Sequence, residues 1–283
     1  MGDLDEDSPR RLLYAFFQEL FGSLLLYLLF FPSGAVLGNS MEGWVFHFLA
    51  VIVFDILTDG ACANPAICVA MFFAGKQTFI GMVVRVAAEL FAGIIGFPVT
   101  YALIPSYLKE LTGGPELSAG VDIYHGAITE GFITFLFALS VLLASTFIVD
   151  AQICRPLYAA ILRVLIEFGG PITGANMNTM VGFSWAWYTK RAYSQEYHIV
   201  YSVAPLIGSV IAACAYRMLV FIIPTETKLI DKSSKKQFRK TKSSATTQKS
   251  KPKIEKEEKE IVVSAVKVKT AHPELRKKKK KTK

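Results

Sequence analysis

The residues that most often carry chemistry are scarce in this sequence. There are four histidines, His47, His125, His198 and His272, scattered along the chain and never at i, i+4 ligand spacing. There are four cysteines, Cys62, Cys68, Cys154 and Cys214, and no pair has metal-ligand spacing. They read as small apolar residues. No nucleophile–base pair stands out either. The sequence therefore argues against an enzyme, and neither cofactor nor metal is expected. Charge is scarce as well, over long runs before Thr225. No Asn-x-Ser/Thr acceptor occurs, so glycosylation offers no check on orientation. No cleavable signal peptide is evident, because the start is acidic and the first apolar run is long enough to span.

Apolar material fills the gap. Of 283 residues, 52% are apolar, and the mean hydropathy is +0.39. Apolar segments fall at about 12–31, 44–58, 79–104, 125–148, 155–168 and 198–223. Runs of such length read as membrane-spanning helices, since about 20 helical residues cross the hydrocarbon core. Two shorter pieces, 65–74 and 179–187, are too short to cross. Such pieces are surface helices or re-entrant half-helices, and irregular backbone is tolerated at membrane depth only where protein or a water-filled cavity surrounds it.

The net charge of +8 misleads as an average. From Thr225 on there are 21 Lys and Arg against 7 Asp and Glu, a tail of about +14 beside an acidic remainder. This Lys/Ser/Thr-rich tail is expected to be disordered. Beside a membrane domain its expected partner is the anionic lipid headgroup, not nucleic acid. Six spans put both ends on one side, and Arg10, Arg11 and the tail mark that side as cytoplasmic. Lys76 and Arg155 fall inside as they should; Lys109, Lys190 and Arg191 fall outside against the rule. Three parts follow: a segment 1–11, a membrane domain 12–224 and the tail 225–283.

The membrane part repeats itself. Glu19 lies 45 residues before Asn64, and Glu130 lies 48 residues before Asn178. Each half, about 12–104 and 125–223, reads as a span with Glu, a span, a short half-helix opened by Asn, and a span. Three spans per half is odd, so the second half is inverted, which puts the functional site at the midplane between the halves. An intramembrane carboxylate is expensive. Symmetric placement favours Glu19 and Glu130 bracing the half-helix loops over a proton relay. Arg85 and Glu89, four apart, are expected to pair on one helix face, whereas Glu167 shows no partner. Small residues at Ala92/Gly96 and Ala204/Gly208/Ala212 are expected to let helices approach closely. Trp185, Trp187 and Tyr188 read as an interface belt, and His47 and His198 as interfacial or packing residues.

In "GACANPA", Asn64 caps a helix and Pro65 fills its first position at no cost, with Ala66 following. Its positive end points inward. If a mate starts at Asn178, two positive ends and two Asn donors face one pore, orient a passing water and repel cations.

With "GACANPA", "ELFAGIIG", "HGAITEGFITF", "TGANMN" and "APLIGSVIAACAYR", the chain resembles the aquaporins, or major intrinsic proteins, over residues 12 to 224. The short approach to the first motif, "GFSWAWY" and the Lys-rich tail make it most like the small basic intrinsic proteins. The resemblance implies an all-α membrane fold of six transmembrane helices and two re-entrant half-helices. It implies a homotetramer with a pore in each subunit, passing water or a small neutral solute, in the endoplasmic reticulum membrane rather than the plasma membrane. Lys280 and Lys281 look like a dilysine retrieval signal.

This sequence departs from the family pattern at its second motif, where Asn-Pro-Ala-Arg is replaced by Asn178, Thr179, Met180 and Val181. Thr179 loses the fixed φ of proline, and flexible Met180 can reshape the place where the half-helices abut. Val181 stands where the outer filter carries Arg. The other filter positions fall on Ile166, Ala175 and, on span 2, Phe48 or Ile52. The filter is thus expected to be apolar. Two other classes remain: a non-conducting structural member plugged by Met180, and a secondary transporter, which also uses inverted repeats and broken helices.

Overall fold

The computed structural model describes residues 7–222 apart from Asn39, Val149 and Tyr193. The expectations for the tail, for Lys280 and Lys281, and for residues 1–6 lie outside the described residues. The elements run α1 (Pro9–Leu37), α2 (Met41–Leu57), the short α3 (Pro65–Phe73), α4 (Phe79–Leu103), a single turn α5 (Ser106–Lys109), α6 (Ile123–Phe147), α7 (Ala151–Thr173) and the short α8 (Thr179–Tyr188). A last rod joins α9 (Gln195–His198), a π-helical turn Ile199–Val203 and α10 (Ala204–Ile222). Pro205 explains that wide turn: it has no N–H to give, and its ring crowds the carbonyl four residues back.

Side chains set most of the helix starts. Ser40 accepts the Gly43 N–H at 3.1 Å, Thr78 that of Gly81 at 3.0 Å, and Asp150 that of Gln152 at 2.9 Å. Asp122 accepts from both Tyr124 and His125. Each cap satisfies N–H groups that the first turn leaves without partners.

The packing is symmetric between the halves. α1 lies on α2 and α4, and α6 lies on α7 and α10 in the same way. Each short helix is held by a long helix of the other half, α3 by α10 and α8 by α4. Like meets like across the middle, α2 against α7 and α3 against α8. The chain is an all-α membrane protein of six long helices and two half-helices in two inverted repeats. Among the described residues, four helical stretches are long and apolar enough to cross by composition alone: Pro9–Gly34, Phe79–Leu103, Ile123–Phe147 and Gln195–Ile222. The other two are borderline for physical reasons. α2 has only 17 residues, and α7 carries Arg155, Arg163 and Glu167.

Small residues allow the closest contacts. A Cβ on Gly208 of α10 would lie 2.2 Å from the Gly131 carbonyl oxygen of α6, and one on Gly96 of α4 would lie 2.3 Å from the Tyr27 ring of α1. These are matching helix pairs in the two halves. The outward faces are apolar, with Phe21, Phe91, Ile128, Phe132, Phe168 and Ile211 all exposed.

The run 155–168, short for a span, extends at both ends into α7, with Pro171 inside the helix and Gly174, at φ 76°, ending it. Two expectations are corrected. Arg85 does not pair with Glu89; it reaches Glu19 on α1, while Glu89 turns inward. Glu167 does have a partner, the Arg163 guanidinium one turn before it.

Candidate functional site

The two half-helices meet at their N-termini. Asn64 Oδ1 accepts the Ala66 N–H at 3.0 Å, and Asn178 Oδ1 accepts that of Met180 at 3.0 Å. Each side-chain amide then points its nitrogen across to the other half. Asn64 Nδ2 donates to the Met177 carbonyl at 2.8 Å, and Asn178 Nδ2 donates to the Ala63 carbonyl at 2.8 Å. An amide nitrogen carries two N–H groups, so each asparagine keeps one donor beyond this crossed pair. Thr179 takes the first helical position without proline's fixed φ, and α8 still forms over ten residues.

The residue before each asparagine is left-handed: Ala63 at φ 45° and Met177 at φ 50°. For residues with a Cβ this conformation costs roughly 1–3 kcal/mol unless the surroundings hold it. The two glutamates do the holding. Glu19, fully buried, accepts the N–H groups of Cys62 at 3.2 Å and Ala63 at 2.9 Å. Glu130, also fully buried, accepts those of Asn176 at 2.8 Å and Met177 at 2.7 Å. The correspondence is position for position.

The two braces differ in how their charge is met. Glu19 receives the Arg85 guanidinium. Glu130 receives the Thr173 hydroxyl at 2.6 Å. Glu89 adds a third carboxylate to the first half, accepting the Asn64 N–H at 2.8 Å and the Cys68 thiol at 3.5 Å. Arg85, Glu89 and Thr173 were not assigned these roles from sequence. Thr173, two residues before Ala175 in the loop Glu130 braces, offered the only cue, as a hydroxyl beside a buried acid.

Glu19, Cys62 and Cys68 bring ligand atoms within 4.8 Å of one another. The Glu19 oxygens already hold two backbone N–H groups and an arginine, so this cluster is a brace rather than a cation cradle.

The four filter candidates divide. Ala175 is buried in a cluster with Ile133, Leu165 and Met177, against which Ile166 packs half-buried. Val181 is buried in a second cluster with Tyr27, Phe97 and Trp185. Phe48 is half-buried and stacks on Trp44 at 5.9 Å, while Ile52 is half-buried one turn further on. Met180 is fully buried against α4 beside Gly93. Trp185 is not part of a belt: it is buried and donates to Glu116 at 3.1 Å. Trp187 and Tyr188 are the exposed aromatics of α8, and His198 is exposed whereas His47 points inward from α2.

At the Trp185 end of α8 a cavity of about 520 Å³ opens between Tyr101, Thr112, Glu116, Gly170, Gly174 and Trp185. Glu116 anchors its rim by pairing with Arg191.

Residues 13–216 match the family described as Major intrinsic protein. The chain belongs to that family. Aquaporin SIP1-2 of Zea mays is 30% identical over 63% of this chain and 75% of its own length. Aquaporin A of Dictyostelium discoideum is 27% identical over 75% of this chain and 80% of its own. Several relatives carry the SIP name of the small basic intrinsic proteins. Among solved structures, the aquaglyceroporin from Plasmodium falciparum superposes with a TM-score of 0.59 at 20% identity, over 72% of this chain and 95% of that one. That likeness shows the fold. Family membership makes this major intrinsic protein a membrane channel protein for water or small solutes.

Proposed function

We propose that the chain is a passive channel whose conduction path runs past Asn64 and Asn178, with an outer constriction formed by Val181, Ile166, Ala175 and Phe48. The reading rests above all on the crossed bonds from each asparagine to the loop of the other half. They hold both half-helix N-termini at one place, each with a spare amide donor. A water passing there turns its oxygen to the donors, and the two positive helix ends repel cations. Glu19 and Glu130 brace the loops rather than relay protons along the path.

Val181 supplies neither charge nor donor where the family pattern has an arginine. An apolar ring gives a stripped water no replacement partner, so it slows water or, if wide, admits larger neutral solutes such as hydrogen peroxide. Each subunit of a homotetramer carries its own pore. Both termini face the cytoplasm, the membrane is that of the endoplasmic reticulum, and the basic tail lies on anionic lipid headgroups.

Stopped-flow shrinkage of proteoliposomes holding the full chain tests the channel. Water or a neutral solute should cross faster than through empty liposomes; equal permeability for every solute tried sinks the reading. Flux that saturates and follows an ion gradient would instead mark a secondary transporter. A non-conducting member plugged by Met180 has less support, since that side chain packs against α4.

A further inference from the structure

We propose that Cys62 and Cys68 close into a reversible disulfide when peroxide reaches them, and that this bond restricts the path at Asn64. The sulfur chemistry stands by itself; the effect on flux rests on the channel reading above.

The two thiols bracket the first asparagine. Cys62 lies two residues before Asn64, and its N–H is one of the two that Glu19 holds. Cys68 lies in the first turn of α3, where its N–H donates to the Asn64 carbonyl at 3.1 Å. Both cysteines are free, and their sulfurs lie within 4.8 Å of one another. A disulfide holds its sulfurs about 2.05 Å apart. Two side chains that share a movement of less than about 3 Å therefore complete the bond.

Access divides the pair into two roles. Cys62 is half-buried and follows the exposed Asp59 and Gly60. Cys68 is fully buried, and its thiol donates to Glu89 Oε1 at 3.5 Å. Glu89 Oε2 is buried without a partner among the described residues. An accessible thiol beside a second thiol that resolves it is the arrangement of a redox sensor. Cys62 meets the oxidant. Its sulfur attacks one peroxide oxygen, the O–O bond breaks, and Cys62 sulfenic acid and water form. The Cys68 sulfur then attacks the Cys62 sulfur. The S–S bond forms as the S–O bond breaks, and the Cys68 proton passes by way of Glu89 to the departing hydroxide, giving a second water. Two thiols are oxidised and one peroxide is reduced; exchange with an external dithiol reverses the change.

The bond acts where the two halves are tied. It draws Cys62 toward α3. Ala63, the next residue, is left-handed at φ 45°, and its carbonyl receives Asn178 Nδ2 at 2.8 Å. Pulling on Cys62 shifts that turn, the Glu19 brace and the crossed bond together, and so the approach to Asn64. A peroxide passing along the path thereby closes it.

The test uses full-length protein in proteoliposomes, first reduced, then treated with hydrogen peroxide, then with dithiothreitol. Mass spectrometry of the peptide that carries both cysteines should show an internal Cys62–Cys68 bond and the loss of two hydrogens. Water permeability by stopped flow should fall about twofold or more and return with dithiothreitol. Cys62→Ala, or Cys62→Ser if the alanine variant folds poorly, should abolish both responses. The double variant Cys154→Ala/Cys214→Ala should keep both. Glu89→Gln retains an oxygen for the Asn64 N–H and should slow closure enough for dimedone to trap the Cys62 sulfenic acid. No Cys62–Cys68 bond in the treated chain overturns the proposal. So does an equal loss of flux in the folded Cys62 variant. A bond that forms with flux unchanged overturns the restriction, and closure as fast in Glu89→Gln removes Glu89 from the step. No flux of any solute through the reduced chain overturns the channel reading instead, and mass spectrometry still decides the sulfur chemistry.

Discussion

Asn64 and Asn178 each donate a side-chain N–H to the carbonyl of the residue that precedes the other, at 2.8 Å in both directions. Each asparagine therefore does two jobs, capping its own half-helix through Oδ1 and tying down the opposite loop through Nδ2. Asn178→Asp separates them. An aspartate still caps, but it cannot donate, so the Ala63 carbonyl loses its partner beside a new buried charge. The expected cost is about 1–3 kcal/mol for the orphaned carbonyl alone. It should appear as a lower thermal midpoint in detergent and lower water flux in proteoliposomes. A midpoint equal to the unmodified chain's would show that the crossed bond does not hold the two halves together.

Glu19 and Glu130 occupy matching places, yet only Glu19 has an arginine. Arg85→Met should therefore cost about 2 kcal/mol by leaving a buried carboxylate uncompensated. Adding Glu19→Gln to Arg85→Met should recover part of that loss, because the remaining amide still accepts one backbone N–H. The comparison is a double-mutant cycle on thermal unfolding. Strict additivity of the two single changes would mean that the pair is not coupled.

Much of this was legible in the chain itself. The half-helices start and stop within a residue of the apolar pieces 65–74 and 179–187, because an asparagine cap gives a sharp start. The rest was hidden by the ambiguity of helical spacing. Residues four apart share a face, which suggested Arg85 with Glu89; tertiary contacts instead sent Arg85 to α1 and Glu89 to the Asn64 backbone. In α7 the apolar run stopped at Gly169, Gly170 and Pro171, residues that usually punctuate a helix, so the helix looked shorter than it is. On α2 the short approach to the first motif left the register open, and His47, Phe48 and Ile52 are all half-buried there.

The glycines offer a graded test of close packing. Gly208→Ala puts a methyl group against the Gly131 carbonyl oxygen, a backbone atom in the centre of another helix. Backbone cannot step aside as a side chain can, so α10 and α6 must part. Overpacking of this kind costs roughly 1–3 kcal/mol. Gly34→Ala in α1 meets nothing within 4 Å and should be neutral or slightly stabilising. Thermal unfolding of the two variants side by side should rank them in that order. Equal midpoints would mean that the α6–α10 contact gives way freely.

Val181→Arg restores the residue type of the family pattern at the third position after Asn178. Val181 is only 6% exposed and packs with Tyr27, Phe97 and Trp185. An arginine there cannot stay in that cluster without a buried charge, so it must turn toward polar space or lose its fold. If position 181 borders the constriction, the guanidinium enters it and adds a donor and a charge to an apolar ring. Larger neutral solutes should then pass more slowly relative to water, by about tenfold. The measurement is the ratio of glycerol to water permeability in proteoliposomes, with folded yield checked by gel filtration. A well-folded variant with an unchanged ratio would place Val181 in the packing alone and move the constriction to the α2–α7 side.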